Sequence, residues 1–141
     1  MTSEGPITEK TLQRLKEIRV SLLHLHEVLL EYQRLGYERA VGRIGNSYDL
    51  LHLVMNDQGF AWLHHLSELV VQIDQKLEAD EKPPERDALA LIDQARFLLI
   101  PSESGDDFQR KYFTALQQSP DVVLAHSQVV KLIGKPRTQL H

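Results

Sequence analysis

Apolar residues return every three or four positions between residues 57 and 80, and this spacing places their side chains on one face of an α-helix. The stripe consists of Leu63, Leu66, Val70, Ile73 and Leu77. The only tryptophan of the chain, Trp62, widens it. Asp57 stands at the N-cap position, where its carboxylate can accept hydrogen bonds from the first backbone N–H groups. We therefore predict a central helix from Asp57 to about Asp80, around which the other segments pack.

The rest of the chain shows the same spacing in five further segments, four of them long and one short. Caps, prolines and glycines mark where these segments begin and end. The first is a long helix that ends at about Val41, and the second is a short helix from Ser47 to Asn56. The other three are a helix between Pro84 and Pro101, a helix that follows the loop 102–107, and a helix from Ser119 to Gly134. Short links favour antiparallel neighbours. We predict an all-α, up-and-down bundle of five main helices and one short helix. It forms a single domain at residues 7–134 between flexible tails at 1–6 and 135–141.

Composition excludes several classes of function. Hydrophobic residues at 42% and charged residues at 26% are typical of a folded globular protein. A net charge of −4 gives no concentrated basic face for nucleic acid. No apolar run approaches the roughly 20 residues that span a bilayer, and the N-terminus lacks the apolar core of a signal peptide. The absence of cysteine excludes disulfides and thiolate chemistry. We expect a cytoplasmic protein that binds neither nucleic acid nor membrane.

The sequence contains no recognisable catalytic motif. Gly42-x-x-Gly45 lacks the Gly-Lys-Ser/Thr ending of a phosphate-binding loop, and no Gly-x-Ser-x-Gly segment frames a serine nucleophile. The carboxylates between Asp74 and Asp87 are interleaved with lysine and arginine, which is typical of a solvated helix end. These observations favour a protein without enzymatic activity.

Seven histidines make metal binding the main chemical alternative. Neither Glu-x-x-His nor His-x-x-x-His occurs, so the spacings of di-iron bundles and zincins are not met. The remaining candidates are His64 with Glu68, four residues apart, and His126, which lies among valines. A histidine in apolar surroundings is also typical of a hydrogen-bonded core residue. We predict no cofactor, and the alternative is a bundle that binds a metal or small ligand through histidine and carboxylate groups.

Five apolar side chains are better suited to protein contact than to chemistry. Four of them, Tyr32, Tyr37, Val41 and Ile44, lie where a first helix about 50 Å long would extend beyond a central helix about 35 Å long. The fifth, Phe97, lies in an otherwise largely polar stripe. These residues either cover the end of the bundle or contact a partner, since aromatic residues are enriched at interfaces. We predict a protein-interaction or regulatory module, with a homodimer as one form of it.

The segment Asn56-Asp57-x-x-Phe60-Ala61-Trp62-Leu63-x-x-Leu66-Ser67 resembles a family of small bacterial helical-bundle proteins with no assigned activity. Tyr37-Glu38-Arg39 and the segment 119–126 carry the same resemblance. His64-His65 depart from it, because the family pattern has Arg-Pro at these positions. The resemblance implies a bacterial origin, a cytoplasmic location and a helical fold. Its motifs consist of packing and capping residues, so it implies no activity.

Overall fold

The computed structural model describes residues 5–134, and these residues form seven α-helices. The helices are α1 (Glu9–Ala40), α2 (Ser47–Asn56), α3 (Gln58–Ala61), α4 (His64–Glu78), α5 (Glu85–Leu98), α6 (Asp107–Gln118) and α7 (Pro120–Ile133). The all-α prediction is confirmed, because the described part contains no strand and only one isolated β-bridge, between Pro6 and Pro84. Within residues 5–134, no helix combines the length and the hydropathy needed to cross a bilayer.

α1 is the axis on which the fold is built. Its fully buried residues recur at three- and four-residue steps: Leu15, Ile18, Leu22, Leu25 and Leu29. Thr8 caps the helix by accepting a hydrogen bond from the Thr11 backbone N–H, and the last bond runs from the Val41 N–H to the Tyr37 carbonyl. A long first helix ending near Val41 is therefore confirmed. Helices α7, α4 and α5 pack against it.

The predicted up-and-down order is not matched. α1 packs against α7, α4 and α5, whereas α2, the next helix in sequence, packs mainly on the short α3. The buried stripe of α1 is already covered by three helices that follow later in the chain. The short α2 is consequently displaced to the end of the bundle, where α1 extends beyond its neighbours.

The predicted central helix is broken into α3 and α4, which raises the number of helices from six to seven. Asp57 does act as an N-cap, but for α3, where its carboxylate accepts from the Gly59 N–H at 2.7 Å. Phe60, Trp62 and Leu63 are all buried. In a continuous helix Phe60 and Trp62, two residues apart, would point to nearly opposite sides, so no single face could bury both. A tight turn, with the Leu63 N–H bonded to the Phe60 carbonyl at 3.1 Å, solves this conflict.

Aromatic rings from two segments, the turn between α3 and α4 and the helix α6, form the centre of the core. The ring centroids of Trp62 and Phe108 are 5.4 Å apart, and those of Phe108 and Tyr112 are also 5.4 Å apart. The indole N–H of Trp62 donates to the Gln33 Oε1 of α1 at 3.0 Å. The packing of the bundle around this tryptophan, predicted from the sequence, is confirmed.

The segment before α1 pairs with the loop before α5. The Ile7 N–H donates to the Pro83 carbonyl at 2.9 Å, and the Glu85 N–H donates to the Gly5 carbonyl at 2.7 Å. The predicted tail at 1–6 is described from Gly5 onward, and Gly5 and Pro6 both contact this loop. Residues 1–4 and the predicted tail at 135–141 lie outside the described residues.

The buried carboxylate of Glu85 completes this connection, which we call the N-terminal clasp. Its Oε1 accepts from the Thr8 backbone N–H at 2.9 Å, and its Oε2 accepts from the Thr11 hydroxyl at 2.6 Å. A buried charge is tolerated where such hydrogen bonds replace water. The Thr11 hydroxyl, followed by the Thr8 N–H, lowers the pKa of Glu85 below its ordinary value. The clasp therefore ties the start of α1 to the start of α5.

Two arginines bind the C-terminal end of α7. Arg14 of α1 and Arg96 of α5 each donate to the Ile133 carbonyl oxygen, at 2.8 Å and 2.7 Å. Carbonyl groups at a helix C-terminus carry partial negative charge, so both cations stabilise this end. The last helix is thus fixed to two other helices.

Candidate interaction surfaces

Two of the predicted partner-contact residues are half-buried by the chain itself. The Tyr32 hydroxyl donates to the Gln118 Oε1 at 2.5 Å, and partial burial raises the pKa of Tyr32. The Tyr37 ring lies 5.9 Å from the Phe60 ring, and both tyrosines pack against the core. In the described chain, these aromatic rings therefore cover the end of the bundle.

The other three predicted residues divide differently. Ile44 is half-buried, and its backbone N–H donates to the Glu38 Oε2 at 2.9 Å. Val41 and Phe97 are exposed. Val41 follows the last residue of α1, whereas Phe97 lies near the end of α5. Contact with a partner at any of these positions stays a prediction.

α2 packs mainly on the short α3 and contains no fully buried residue. Its inner side consists of the half-buried Leu50, Leu53 and Val54, which pack against the core. His64 fixes this helix to α4, because its ring Nε2–H donates to the Val54 carbonyl at 3.1 Å. α2 is therefore attached to the bundle by one apolar side.

The opposite side of α2 is also apolar, and it faces solvent. Tyr48, Leu51 and Met55 are 72%, 56% and 64% exposed. Their spacing of three and four residues places them on one face, which we call the α2 face. The α2 face is not among the contact surfaces predicted from the sequence, although the spacing of residues 48, 51 and 55 is visible there. The sequence does not show that the stripe containing Leu50 and Val54 makes the contact with the core, which leaves the other apolar side of α2 exposed to solvent.

The candidate metal ligands have other roles in the structure. His64 and Glu68 are exposed, and the His64 ring bonds to the Val54 carbonyl. His126 is half-buried on α7. No group of three histidine, aspartate or glutamate side chains positioned to hold a metal ion occurs within residues 5–134.

His126 instead forms a pair with Tyr112. A hydrogen bond of 2.6 Å joins the Tyr112 hydroxyl to the His126 Nδ1, and the two ring centroids are 5.4 Å apart. Burial raises the pKa of Tyr112 and lowers the pKa of His126. Both shifts favour the neutral forms, so the pair is a neutral hydrogen bond that joins α6 to α7.

A groove of about 570 Å³ lies between α4 and α5. Its apolar lining comes from Leu69, Ala90, Phe97 and Leu98. Its charged lining comes from Glu68, Asp93 and Asp106. We call this feature the α4–α5 groove.

A scan against models of protein families, a search of curated proteins and a search of solved structures each returned no match. The bacterial origin and cytoplasmic location implied by the resemblance therefore stay predictions.

Proposed function

We propose that this protein is a non-enzymatic interaction module that self-associates through the α2 face. The observation that carries this proposal is the second apolar stripe of α2, at Tyr48, Leu51 and Met55. A surface helix needs one apolar stripe to attach to its core, and a helix that is apolar on two sides is normally covered on both. The inner stripe meets the core, so the outer stripe is the side available to a second copy.

The charge of α2 favours a second copy over a partner selected by charge. Asp49 is the only Asp, Glu, Lys or Arg residue in this helix. In a two-fold dimer, the same patch meets itself, so like charges would face each other across the interface. An uncharged face with tyrosine and methionine avoids this repulsion and has the composition of an interface core.

The size of the α2 face sets the expected affinity. Three side chains on a helix of 10 residues cover less than the roughly 800 Å² that each partner contributes to a standard interface. The dimer is therefore expected to be weak, and its population to depend on protein concentration. Such reversible association is compatible with a regulatory role.

The test is sedimentation velocity over roughly a hundredfold range of protein concentration. The wild type is expected to shift from monomer to dimer as concentration rises. Leu51→Glu is expected to stay monomeric, because it places two buried like charges in the interface. Leu51 is central to the face, since its neighbours at three and four residues include Tyr48 and Met55.

The matched control is Val20→Glu on α1. Val20 is 64% exposed, but Lys16, Glu17 and His24 surround it at helical spacing. This variant is expected to associate as the wild type does. A wild type that stays monomeric throughout, or an equal loss of association in both variants, would contradict the proposal.

The remaining parts of the proposal concern the setting of the protein. We place it in the cytoplasm of a bacterium and do not include nucleic acid among its partners. The net charge of −4 and the resemblance described above support these statements.

A further inference from the structure

We propose that the α4–α5 groove binds a basic segment of another protein, in which lysine or arginine alternates with apolar residues. The proposal is independent of self-association, because the groove and the α2 face are formed by different helices. The proposal gives a role to Phe97, an exposed aromatic residue that is not part of the α2 face.

The apolar part of the groove supplies contact area. Leu69 is buried and Leu98 is half-buried, so they form its floor. Phe97 is 66% exposed, which leaves its ring available to a ligand. A phenylalanine ring can accept an apolar side chain, and its face also attracts the cation of lysine or arginine.

Charge selects the occupant. The lining contains three carboxylates and one histidine, His65, and neither lysine nor arginine is among the lining residues. Asp93 is paired with Arg96, and Asp106 caps α6 by accepting from the Gln109 N–H at 2.9 Å. Glu68 is exposed, so Glu68 and Phe97 are the side chains that a basic ligand would engage.

The larger groove between α1 and α7 lacks this selectivity. Its volume is about 590 Å³, and its charged lining consists of three carboxylates, Glu27, Glu31 and Asp121, together with Arg39. A basic segment would meet an arginine there. Both grooves carry carboxylates, but only the α4–α5 groove is free of lysine and arginine, so it complements a basic occupant without a repelling cation.

The test is selection of binding peptides from a random display library, followed by affinity measurement of the selected peptides by fluorescence polarisation. Selected sequences are expected to be enriched in lysine or arginine beside apolar residues, and their affinity to fall with salt. Phe97→Ala is expected to weaken binding about 3- to 30-fold, the range of a cation–π contact. Glu68→Gln is expected to weaken it about two- to fivefold and to reduce the salt dependence.

Leu124→Ala is the matched control, since Leu124 is 64% exposed but lies on α7. It is expected to leave peptide binding unchanged, and so is Leu51→Glu, which separates this proposal from self-association. Peptides without basic enrichment, or equal binding by wild type and Phe97→Ala, would overturn the proposal.

Discussion

α1 and α2 are both apolar helices, but they differ in how many of their apolar sides the chain covers. The stripe of α1 from Leu15 to Leu29 is completely buried by α4, α5 and α7. α2 has two apolar sides, and only the side with Leu50 and Val54 meets the core. Apolar spacing is therefore enough to predict a helix. Which apolar stripe of that helix becomes buried depends on whether other helices pack against it.

The difference has an energetic consequence. Burying a leucine or isoleucine side chain contributes about 1.5–3 kcal/mol, and α1 gains this at five positions. The exposed side chains of the α2 face contribute little to the folded monomer. Substitutions in the two regions should therefore differ strongly in cost, and each of the following experiments tests that contrast.

The largest effect is expected at Trp62, which joins the α1 region to the aromatic core. Trp62→Ala removes a buried indole and its hydrogen bond to Gln33, so it should lower the free energy of unfolding by about 3–5 kcal/mol. Urea denaturation followed by circular dichroism measures this change. A cost below about 1 kcal/mol would show that the interior is not packed around this ring.

The N-terminal clasp should have the second largest effect. Glu85→Gln weakens the hydrogen bonds from Thr8 and Thr11, at an expected cost of about 1–3 kcal/mol near neutral pH. Glu103→Gln, in an exposed loop, is the control and should be nearly neutral. An equal cost in both variants would mean that the clasp does not contribute to stability.

The clasp also predicts a dependence on pH. The folded-state pKa of Glu85 is lowered, so its stabilisation is fully present above the unfolded value of about 4.3. It is lost as the pH falls through the folded-state pKa. The difference in unfolding free energy between wild type and Glu85→Gln should therefore shrink between about pH 5 and pH 3. A difference that stays constant would contradict this assignment.

A smaller effect is expected where α6 joins α7. Tyr112→Phe keeps the ring but removes the hydroxyl that is hydrogen-bonded to the His126 Nδ1, at a cost of about 0.5–1.5 kcal/mol. Chemical denaturation of the variant measures the loss. The control is Tyr48→Phe, because the Tyr48 ring is exposed in the wild type. This variant should change the unfolding free energy less than Tyr112→Phe does. The reverse order would show that the Tyr112–His126 bond is not stabilising.

The smallest effect is expected on the α2 face. Leu51→Gln should change the unfolding free energy of the dilute monomer by no more than about 0.5 kcal/mol. The measurement is made at a protein concentration where sedimentation shows monomer. A loss of unfolding free energy as large as that of Trp62→Ala would contradict the contrast between α1 and α2, because it would show that Leu51 is buried.

Much of the fold follows from local patterns. The α1 stripe, the Asp57 cap and the Ser119-Pro120 start of α7 depend on residues close in sequence, and each lies in the structure where the pattern predicts it. The break at Trp62 does not follow from such a pattern. It arises because Phe60 and Trp62 must face the same interior, which only distant helices create.

The candidate surfaces show the same division. The sequence identifies Phe97 as an apolar residue in a polar stripe, but the acidic lining of its groove comes from α4, α5 and the residue that caps α6. It also places Tyr37 near the end of α1, yet the ring that packs on it, Phe60, lies more than 20 residues away. Such neighbours depend on how helices are arranged, and spacing within one helix does not define that arrangement.

By itself, the sequence determined that this chain is all-helical, that its first helix is long and that Trp62 lies in the core, since these properties depend on spacing and caps within single segments. Only the tertiary structure decided which side of α2 faces solvent and where the central helix breaks. The physical reason is that burial is shared: a stripe becomes interior only when another helix covers it, and three helices were available to α1.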